Sequence, residues 1–332
     1  MKILYAIQGT GNGHVSRARE LVPLFQQYGD LDILLSGTQA DVTLDQEIKY
    51  KLHGFSFVFG KKGGVDHYAT FKLMNLRRLY QDMYRIPIEQ YDLIINDFEP
   101  VTAWACKLKG VKCIGLSHQS AFISNKVPKP KSVDWAELIL KYYAPATKHF
   151  GFHFKKYDDF IYTPVIRSEI RGLNPINQGY YTVYLPALAD EYLIKLLSQI
   201  PEIQWQVFSK HSNTSYSVGN INIQPITNTN YIKSLEGCAG LLSGGGFEGP
   251  SEALFLKKKL LVAPMRYQYE QQCNAYALKE LGIPVLWASD KNWLPTIKMW
   301  VNNSQNYNFD FPDESAAIVE HIVKTYAKPN FK

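Results

Sequence analysis

Residues 2–20, KILYAIQGTGNGHVSRARE, contain the unit that decides the fold class. The continuous apolar run over 2–8 predicts a buried strand, and the glycine-rich stretch 9–13 ends it. A helical pattern near 15–28 follows. A strand, a glycine loop and a helix in this order begin a parallel βαβ unit, so we expect an α/β sheet covered by helices on both faces.

The same alternation of short apolar runs and helical patterns continues through both halves of the chain. The first half has predicted strands at 2–8, 31–37, 55–60, 92–97 and 112–117, with helices near 15–28, 39–50, 70–85 and 100–109. The second half has predicted strands at 181–186, 203–209, 221–226, 239–243, 259–264 and 284–287, with helices at 189–199, 229–236, 247–257 and 268–281. The predicted fold class is α/β, with two doubly wound, Rossmann-like domains facing each other across a cleft.

The domain boundaries follow from chain length and from one break in the pattern. At 332 residues the chain exceeds the size at which a single hydrophobic core keeps growing. Arginines, glycines and a proline interrupt the alternation within 165–181. We expect an N-terminal domain over 1–165, a linker over 166–180, a C-terminal domain over 181–312, and a final helix within 313–332 that packs back across the domains.

Composition excludes several function classes. No run approaches the ~20 apolar residues of a membrane span, and the first apolar run is too short for a signal peptide, which favours a cytoplasmic location. The cysteines lack metal-ligand spacing and are predicted to be reduced thiols: Cys106, Cys113, Cys238 and Cys273. Neither a metal nor another cofactor is expected.

The net charge of +6 is unevenly distributed. Segment 107–156 holds ten lysines against Asp134 and Glu137. Aromatic residues are interleaved with these lysines, namely Trp135, Tyr142, Tyr143, Phe150, Phe152 and Phe154, and VDWAELILKYYA (133–144) reads as an amphipathic helix. This mixture fits either an anionic membrane surface or an ordinary solvated lysine face. Nucleic acid is disfavoured, because arginine is scarce there and no recognition motif is present.

The opening loop is unlike a dinucleotide-binding loop. Its spacing is GxGxG, and Ser36 stands near the end of the second strand, where an acidic residue would bind a ribose. His14, at the helix start, is a candidate general base, or else a histidine that caps the helix. Gly11 and Gly13 would let substrates approach it. Arg17, one turn on, is either a phosphate contact or a solvated side chain.

Two loops of the second half suit a nucleotide sugar. Ser243 to Gly246 follow a predicted strand and open a helix, where bare N–H groups can hold a diphosphate. Glu252 in that helix is an acceptor for the two hydroxyls of a ribose, or a solvated glutamate. Glu270 and Gln271 begin the next helix and suit hydrogen bonds to sugar hydroxyls. Asn274 is interpreted as structural.

Three motifs in this order resemble the GT-B glycosyltransferases: GxGHxxR (11–17), SGGGFEGPSEA (243–253) and EQQCNA (270–275). The resemblance covers the whole chain and is strongest to the MurG-like, family 28-like group, which transfers N-acetylglucosamine to a lipid carrier, and to related uncharacterised glycosyltransferases of similar length. It implies an enzyme that moves a sugar from a nucleotide-diphosphate donor, UDP foremost, to a hydroxyl acceptor.

The resemblance also implies roles for individual residues. Gly244, Gly245 and Gly246 would face the donor diphosphate, Glu252 the ribose, and Glu270 with Gln271 the donor sugar. His14 would be the general base of an inverting reaction, oriented by Asp97. Glu99 and His118 lie in equally suitable loops after strands. Retaining members of the fold show two glutamates with seven residues between them, whereas Glu248 and Glu252 have three, which favours inversion.

The acceptor is expected to be a lipid-linked or glycan hydroxyl, with the enzyme peripheral at the inner face of the cell membrane through 107–156. Two alternatives remain. One is a nucleotide-sugar hydrolase of the same fold, which shares a GxGHVxR stretch and activates water. The other is a non-catalytic subunit that binds a sugar nucleotide beside a partner.

Overall fold

The computed structural model describes residues 1–9, 12–37, 44, 46–53, 76–130, 135–304 and 307–328. These residues form two α/β units, each built around its own sheet. The predicted architecture of two doubly wound α/β domains is confirmed.

Within the described residues, the first sheet has seven strands, all paired in parallel in the order β3-β2-β1-β4-β5-β6-β7. Its strands are β1 (Lys2–Gln8), β2 (Asp30–Ser36), β3 (Ile48–Leu52), β4 (Leu93–Asp97), β5 (Ile114–Ser117), β6 (Lys148–Phe152) and β7 (Ile161–Tyr162). The helices beside it are α1 (Asn12–Gln26), α2 (Leu76–Arg85), α3 (Pro100–Lys109) and α4 (Trp135–Tyr143). Strand order reverses between β1 and β4, so a crevice opens beyond their carboxyl ends, where doubly wound sheets bind ligands.

Strand β1 shows why this sheet is covered on both faces. Successive side chains of a strand point to opposite faces. Ile3, Tyr5 and Ile7 pack with the apolar side of α1, whereas Leu4 and Ala6 belong to a separate cluster that includes α3. A strand buried on both faces needs an apolar residue at every position, which is the continuous run seen in the sequence.

The second sheet has six strands in the order β10-β11-β9-β8-β12-β13, and β10 pairs antiparallel with β11 at the edge. Its strands are β8 (Tyr181–Tyr184), β9 (Trp205–Ser209), β10 (Tyr216–Val218), β11 (Ile221–Pro225), β12 (Gly240–Gly244) and β13 (Lys259–Ala263). The remaining helices are α5 (Ser168–Arg171), α6 (Asp190–Leu197), α7 (Asn228–Gly237), α8 (Glu248–Phe255), α9 (Tyr269–Glu280), α10 (Leu294–Asn302) and α11 (Ser315–Tyr326). Here the strand order reverses between β8 and β12, which puts the loop after β12 at the second crevice.

The end of the chain returns to the first sheet. Helix α11 packs against α1, and the backbone N–H of Lys328 donates to the carbonyl of Asp92 beside β4. Glu314 accepts hydrogen bonds from Lys156 and Thr163 of the first half. Short helix α5 lies within the expected linker, between the two sheets in sequence.

Two of the predicted elements differ from the structure. The helix expected near 39–50 is wrong at 48–50, where β3 forms instead; its residues alternate between half-buried and exposed, the period of an edge strand. The strand expected at 284–287 is reduced to a single bridge between Val262 and Val285. The strand expected at 55–60 lies outside the described residues.

Candidate active site

The loops that follow β1 and β4 lie side by side and bring the start of α1, with His14 and Arg17, against Asp97 at the carboxyl end of β4. Nδ1 of His14 lies 2.8 Å from Oδ1 of Asp97. Arg17 donates to both oxygens of the same carboxylate, from Nε at 2.9 Å and from Nη2 at 2.8 Å. All three residues are buried, with Asp97 fully so. The parallel pairing of β1 with β4, in which Ile7 is opposite Asp97, delivers both loops to the same point.

This arrangement holds Asp97 ionised and sets the tautomer of His14. Burial raises the pKa of Asp97, but Arg17 and His14 lower it more, so its pKa lies below the usual value. Because Asp97 is an acceptor, Nδ1 carries the proton of the neutral ring and Nε2 keeps its lone pair. An imidazole with a free Nε2 and a carboxylate behind it is a suitable general base.

Two stacked aromatic side chains, Phe98 and Tyr143, form an aromatic wall beside His14. Phe98 has a φ of 56°, a left-handed conformation that is uncommon for a bulky residue. This turn stacks Phe98 parallel to His14 at 6.3 Å and against Tyr143 of α4 at 4.8 Å. Strained backbone of this kind concentrates at functional sites.

Glu99 and Asp97 lie two residues apart, but their carboxylates have different partners. Glu99 is fully buried and caps α3, accepting from the N–H groups of Val101 and Thr102 at 2.7 and 2.6 Å. Ser36 donates to it as well, at 2.7 Å. Burial raises the pKa of Glu99 in spite of these donors. Its oxygens are occupied by the fold, which leaves Asp97 as the acidic partner of His14.

The second half contributes a carboxylate to the same cluster. Nη1 of Arg17 donates to Oε1 of Glu248, the first residue of α8, at 2.9 Å. Gly13 lies against this carboxylate, and a Cβ there would be 2.7 Å from Oε1. Gly11 lies outside the described residues.

One side of the glycine loop after β12 is held by hydrogen bonds to α9. Oε1 of Gln271 accepts from the N–H of Gly245 at 3.2 Å and from that of Met265 at 3.0 Å. A Cβ at Gly245 would be 2.6 Å from the carbonyl oxygen of Gln271, so only glycine fits. A Cβ at Gly246 would meet no described atom within 4 Å, and one at Gly244 nothing closer than 3.7 Å. The loop, which starts from Ser243 at the end of buried β12, therefore has a packed side and an open side.

His118, after β5, reaches the same loop from the first half. Its Nε2 lies 2.8 Å from Oδ1 of Asn274, whose Nδ2 donates to the carbonyl of Gly245 at 3.0 Å. Its ring stacks on Phe247 at 3.8 Å. Burial lowers the pKa of His118 against an opposing effect of Glu270, whose Oε1 is 4.0 Å from Nε2.

Glu252 is paired with the linker. Arg167 donates to both of its oxygens, from Nε at 2.6 Å and from Nη2 at 3.0 Å. Glu252 is 3% exposed, and burial raises its pKa in spite of Arg167. Each carboxylate oxygen has a second lone pair, so the pairing leaves acceptor capacity for a ligand hydroxyl.

The basic segment 107–156 is less uniform than its sequence indicates. Phe150, Phe152 and Phe154 are core residues and cannot form a surface. Four lysines have acidic partners, in the pairs Lys109–Glu89, Lys126–Asp158, Lys129–Glu137 and Lys156–Glu314. The exposed apolar side chains of this segment include Leu138 and Tyr142 on α4.

Two kinds of feature, membrane-spanning helices and clusters of metal ligands, are not found in the part of the chain that the structure describes. There, no helix is long and apolar enough to cross a membrane. Nor do three or more His, Cys, Asp or Glu side chains of these residues come together as metal ligands. The four cysteines are free and buried.

A profile of glycosyl transferase family 1 matches residues 1–303. The chain belongs to this family. The predicted relationship to glycosyltransferases is thereby confirmed, and the protein is a glycosyltransferase. A comparison with curated protein sequences finds no significant match.

Solved structures of GT-B glycosyltransferases share the fold over nearly the whole chain. Acinetobacter baumannii MurG is 14% identical with a TM-score of 0.58, covering 98% of this chain and 99% of its own. Streptomyces sp. SF2575 SsfS6, complexed with thymidine diphosphate, is 11% identical with a TM-score of 0.59, covering 98% and 100%. Arabidopsis thaliana UGT89C1, complexed with UDP, is 11% identical with a TM-score of 0.60, covering 98% and 94%.

Sequence reasoning missed two partners in this site. Arg167 was assigned only to a linker, and no periodicity relates it to Glu252, 85 residues later. Glu248 was considered only for its spacing from Glu252. The one available signal was the presence of Arg167 and Arg171 in the linker, since a buried carboxylate needs a cationic partner.

Proposed function

We propose that this glycosyltransferase is an inverting enzyme that transfers a sugar from a nucleotide-diphosphate donor, UDP-sugar foremost, to a hydroxyl of a lipid-linked or glycan acceptor. The observation that carries the proposal is the contact of His14 with Asp97 at 2.8 Å, at the crevice beyond β1 and β4. The complexes of UGT89C1 with UDP and of SsfS6 with thymidine diphosphate support a nucleoside diphosphate as the donor's leaving group.

In this mechanism Nε2 of His14 removes the proton of the acceptor hydroxyl. The acceptor oxygen forms a bond to the anomeric carbon, the bond from that carbon to the diphosphate oxygen breaks, and the electron pair leaves with the diphosphate. The configuration inverts, because attack and departure occur on opposite faces. Asp97, held ionised by Arg17, stabilises the imidazolium that forms.

The donor would lie along the second sheet. Gly244, Gly245 and Gly246 would face the diphosphate at the start of α8, where a helix N-terminus favours negative charge. The N–H of Gly246 would donate to it, since the N–H of Gly245 donates to Gln271. Glu252 would accept from the ribose hydroxyls, and Glu270 with Gln271 would contact the sugar. Ser243, Gly11, Gly13 and Arg17 complete the proposed substrate contacts.

The acceptor side would be apolar. Phe98 and Tyr143 form a wall from His14 to α4, and α4 exposes Leu138 and Tyr142. An amphipathic helix with exposed Leu, Tyr and Lys suits an anionic lipid surface. A cytoplasmic enzyme peripheral at the inner face of the membrane would then meet its acceptor there.

Turnover assays test the reaction. UDP-sugars are supplied with and without lipid-linked or glycan hydroxyl acceptors, and transfer and free sugar are both measured. His14→Ala is expected to lower kcat by about 10²–10⁴-fold, the usual contribution of a general base. Unchanged transfer by His14→Ala would refute the base. Fast hydrolysis without acceptor would identify the hydrolase, and tight donor binding without either reaction would identify the non-catalytic subunit.

Vesicle binding tests the acceptor side. Leu138→Ser with Tyr142→Ser should reduce co-sedimentation with phosphatidylglycerol-containing vesicles. Tyr192→Ser, at another exposed tyrosine far from α4 in the chain, is the matched control. Equal binding of all forms, or none by the wild type, would argue against a membrane surface.

A further inference from the structure

His118 contacts the glycine loop after β12 in two independent ways. Through Asn274 it reaches the carbonyl of Gly245, and through ring stacking it holds Phe247, which directly follows Gly246. Its ring lies at the first sheet, with Nδ1 2.8 Å from the carbonyl oxygen of Phe152 in β6. Its ring is buried, with 1% exposure.

The orientation of Asn274 follows from its partners. Its Nδ2 must face the carbonyl of Gly245, since an amide oxygen there would meet another acceptor. Its Oδ1 consequently faces His118. Rotating the amide by half a turn would break the contact to Gly245. Asn274 therefore presents an acceptor to Nε2, so His118 directs Asn274 at the loop with its proton on Nε2, and the neutral ring then has no proton for the carbonyl of Phe152.

The hydrogen bond from Asn274 to the carbonyl of Gly245 determines where the N–H of Gly246 points. The peptide bonds of the described chain are not cis, and a trans peptide directs its C=O and N–H to opposite sides. When Asn274 holds the carbonyl of Gly245 toward α9, the N–H of Gly246 is directed away from α9. Space is also open beside Gly246 itself, where a Cβ would meet no described atom within 4 Å.

We infer that His118 is a positioning residue that, through Asn274, aims the N–H of Gly246 at the β-phosphate of the donor. The inference rests on the proposed function, because it takes the glycine loop as the diphosphate site. It also assigns the coupling between the two halves: the loop is set for a diphosphate only while His118 of the first unit reaches Asn274 of the second.

Isothermal titration with UDP and UMP measures this role. His118→Phe keeps a ring to stack on Phe247 but removes both nitrogens. We expect it to weaken UDP about 10-fold and UMP less than about 3-fold, since only UDP has the β-phosphate; one lost hydrogen bond to an anion is of this size. Asn274→Ala should give the same selective loss.

His153→Phe is the matched control. His153 lies in the same aromatic cluster, with ring centroids 5.2 Å from His118 and 6.2 Å from Phe247, but its Nδ1 accepts a hydrogen bond from the N–H of Phe154. It should leave the ratio of UDP to UMP affinity at the wild-type value. Equal weakening of both nucleotides by His118→Phe, or an unchanged ratio, would overturn the inference.

Amide hydrogen exchange of the glycine loop measures the effect of His118 without any nucleotide, and so independently of which donor binds. In the absence of any nucleotide, peptides covering 241–250 should exchange faster in His118→Phe than in the wild type or in His153→Phe. If the wild type binds neither UDP, UMP nor thymidine diphosphate but the exchange differs as expected, the donor assignment fails and the positioning role stands. If exchange is unaffected, the positioning role is refuted whatever the nucleotide.

Discussion

Gly13 and Glu248 come from opposite halves of the chain, and a Cβ on Gly13 would lie 2.5 Å from Cδ of Glu248. Glu248 meanwhile accepts from Arg17 at 2.9 Å, so the carboxylate is fixed between the two units. A glycine in the first turn of α1 costs helix stability relative to alanine. Position 13 is a glycine because any larger side chain would occupy the space of the Glu248 carboxylate.

Gly13→Ala should therefore have opposite effects in two backgrounds. In the wild type it displaces the Glu248 carboxylate and breaks its charge-assisted bond to Arg17, lowering the free energy of unfolding by about 1–2 kcal/mol. In a Glu248→Ala background it should raise that free energy by about 0.5–1 kcal/mol, because alanine is the better helix former. Urea unfolding of the four proteins measures the sign, and destabilisation of the same size in both backgrounds would contradict the contact.

Asp97→Asn should impair both stability and turnover. The amide leaves the buried Arg17 guanidinium without its main counter-charge, a loss of about 3–5 kcal/mol for a broken buried pair. It also removes the negative charge that stabilises the His14 imidazolium and lets an amide NH2 face Nδ1, which favours the other tautomer, so kcat should fall at least about 10-fold.

Asp92→Asn serves as the control for Asp97→Asn. Asp92 lies just before the opposite, amino end of β4 and accepts from the N–H of Lys2 at 2.7 Å. An asparagine retains that acceptor, so both stability and kcat should stay near the wild type. Wild-type turnover of folded Asp97→Asn would show that His14 does not depend on this carboxylate.

Arg167→Gln should destabilise the protein by leaving Glu252 buried without its bidentate partner. The expected loss is about 3 kcal/mol in the free energy of unfolding. Replacing both residues, Arg167→Leu with Glu252→Leu, should recover most of it, because an apolar pair needs no desolvation of charge. If the double variant is less stable than Arg167→Gln, the ion pair itself stabilises the fold, and the cost of Arg167→Gln is more than that of an unpaired buried charge.

Stability should decline between pH 7.5 and 5.5 because of His153. Burial lowers the pKa of His153 well below its usual value, and His118 adds to the effect. Since the folded pKa lies below the unfolded one, the unfolded chain binds more protons in this window, and stability is lost as the pH falls below about 6.5.

His153→Asn tests this assignment. Asparagine keeps an acceptor for the N–H of Phe154, which now donates to Nδ1 at 2.9 Å, but does not titrate. The difference in the free energy of unfolding between the two pH values should shrink by about 1 kcal/mol. His211→Gln, at an exposed histidine, is the control. An unchanged pH dependence in His153→Asn would assign the acid sensitivity elsewhere.

Local patterns were sufficient for most of the fold. Strand β1 was predicted with its observed bounds because every residue from 2 to 8 suits a strand buried on both faces. Predictions failed at edges, as at β3, where half-exposed residues carry a weak pattern that helices share. The short bridge at Val285 shows the same limit, since pairing depends on a neighbour and not on the run itself.

The sequence by itself determined the two doubly wound units, the glycine loops after β1 and β12, and the residue types that could serve as base and anion site, because burial period and loop chemistry are local properties. Only the tertiary structure decided which side chains meet. Asp97, rather than Glu99, faces His14. Two residues further along the turn, the Glu99 carboxylate instead caps the N-terminus of α3. Arg17 with Glu248, His118 with Asn274, and Arg167 with Glu252 are 80 or more residues apart, and long-range packing alone brings them together.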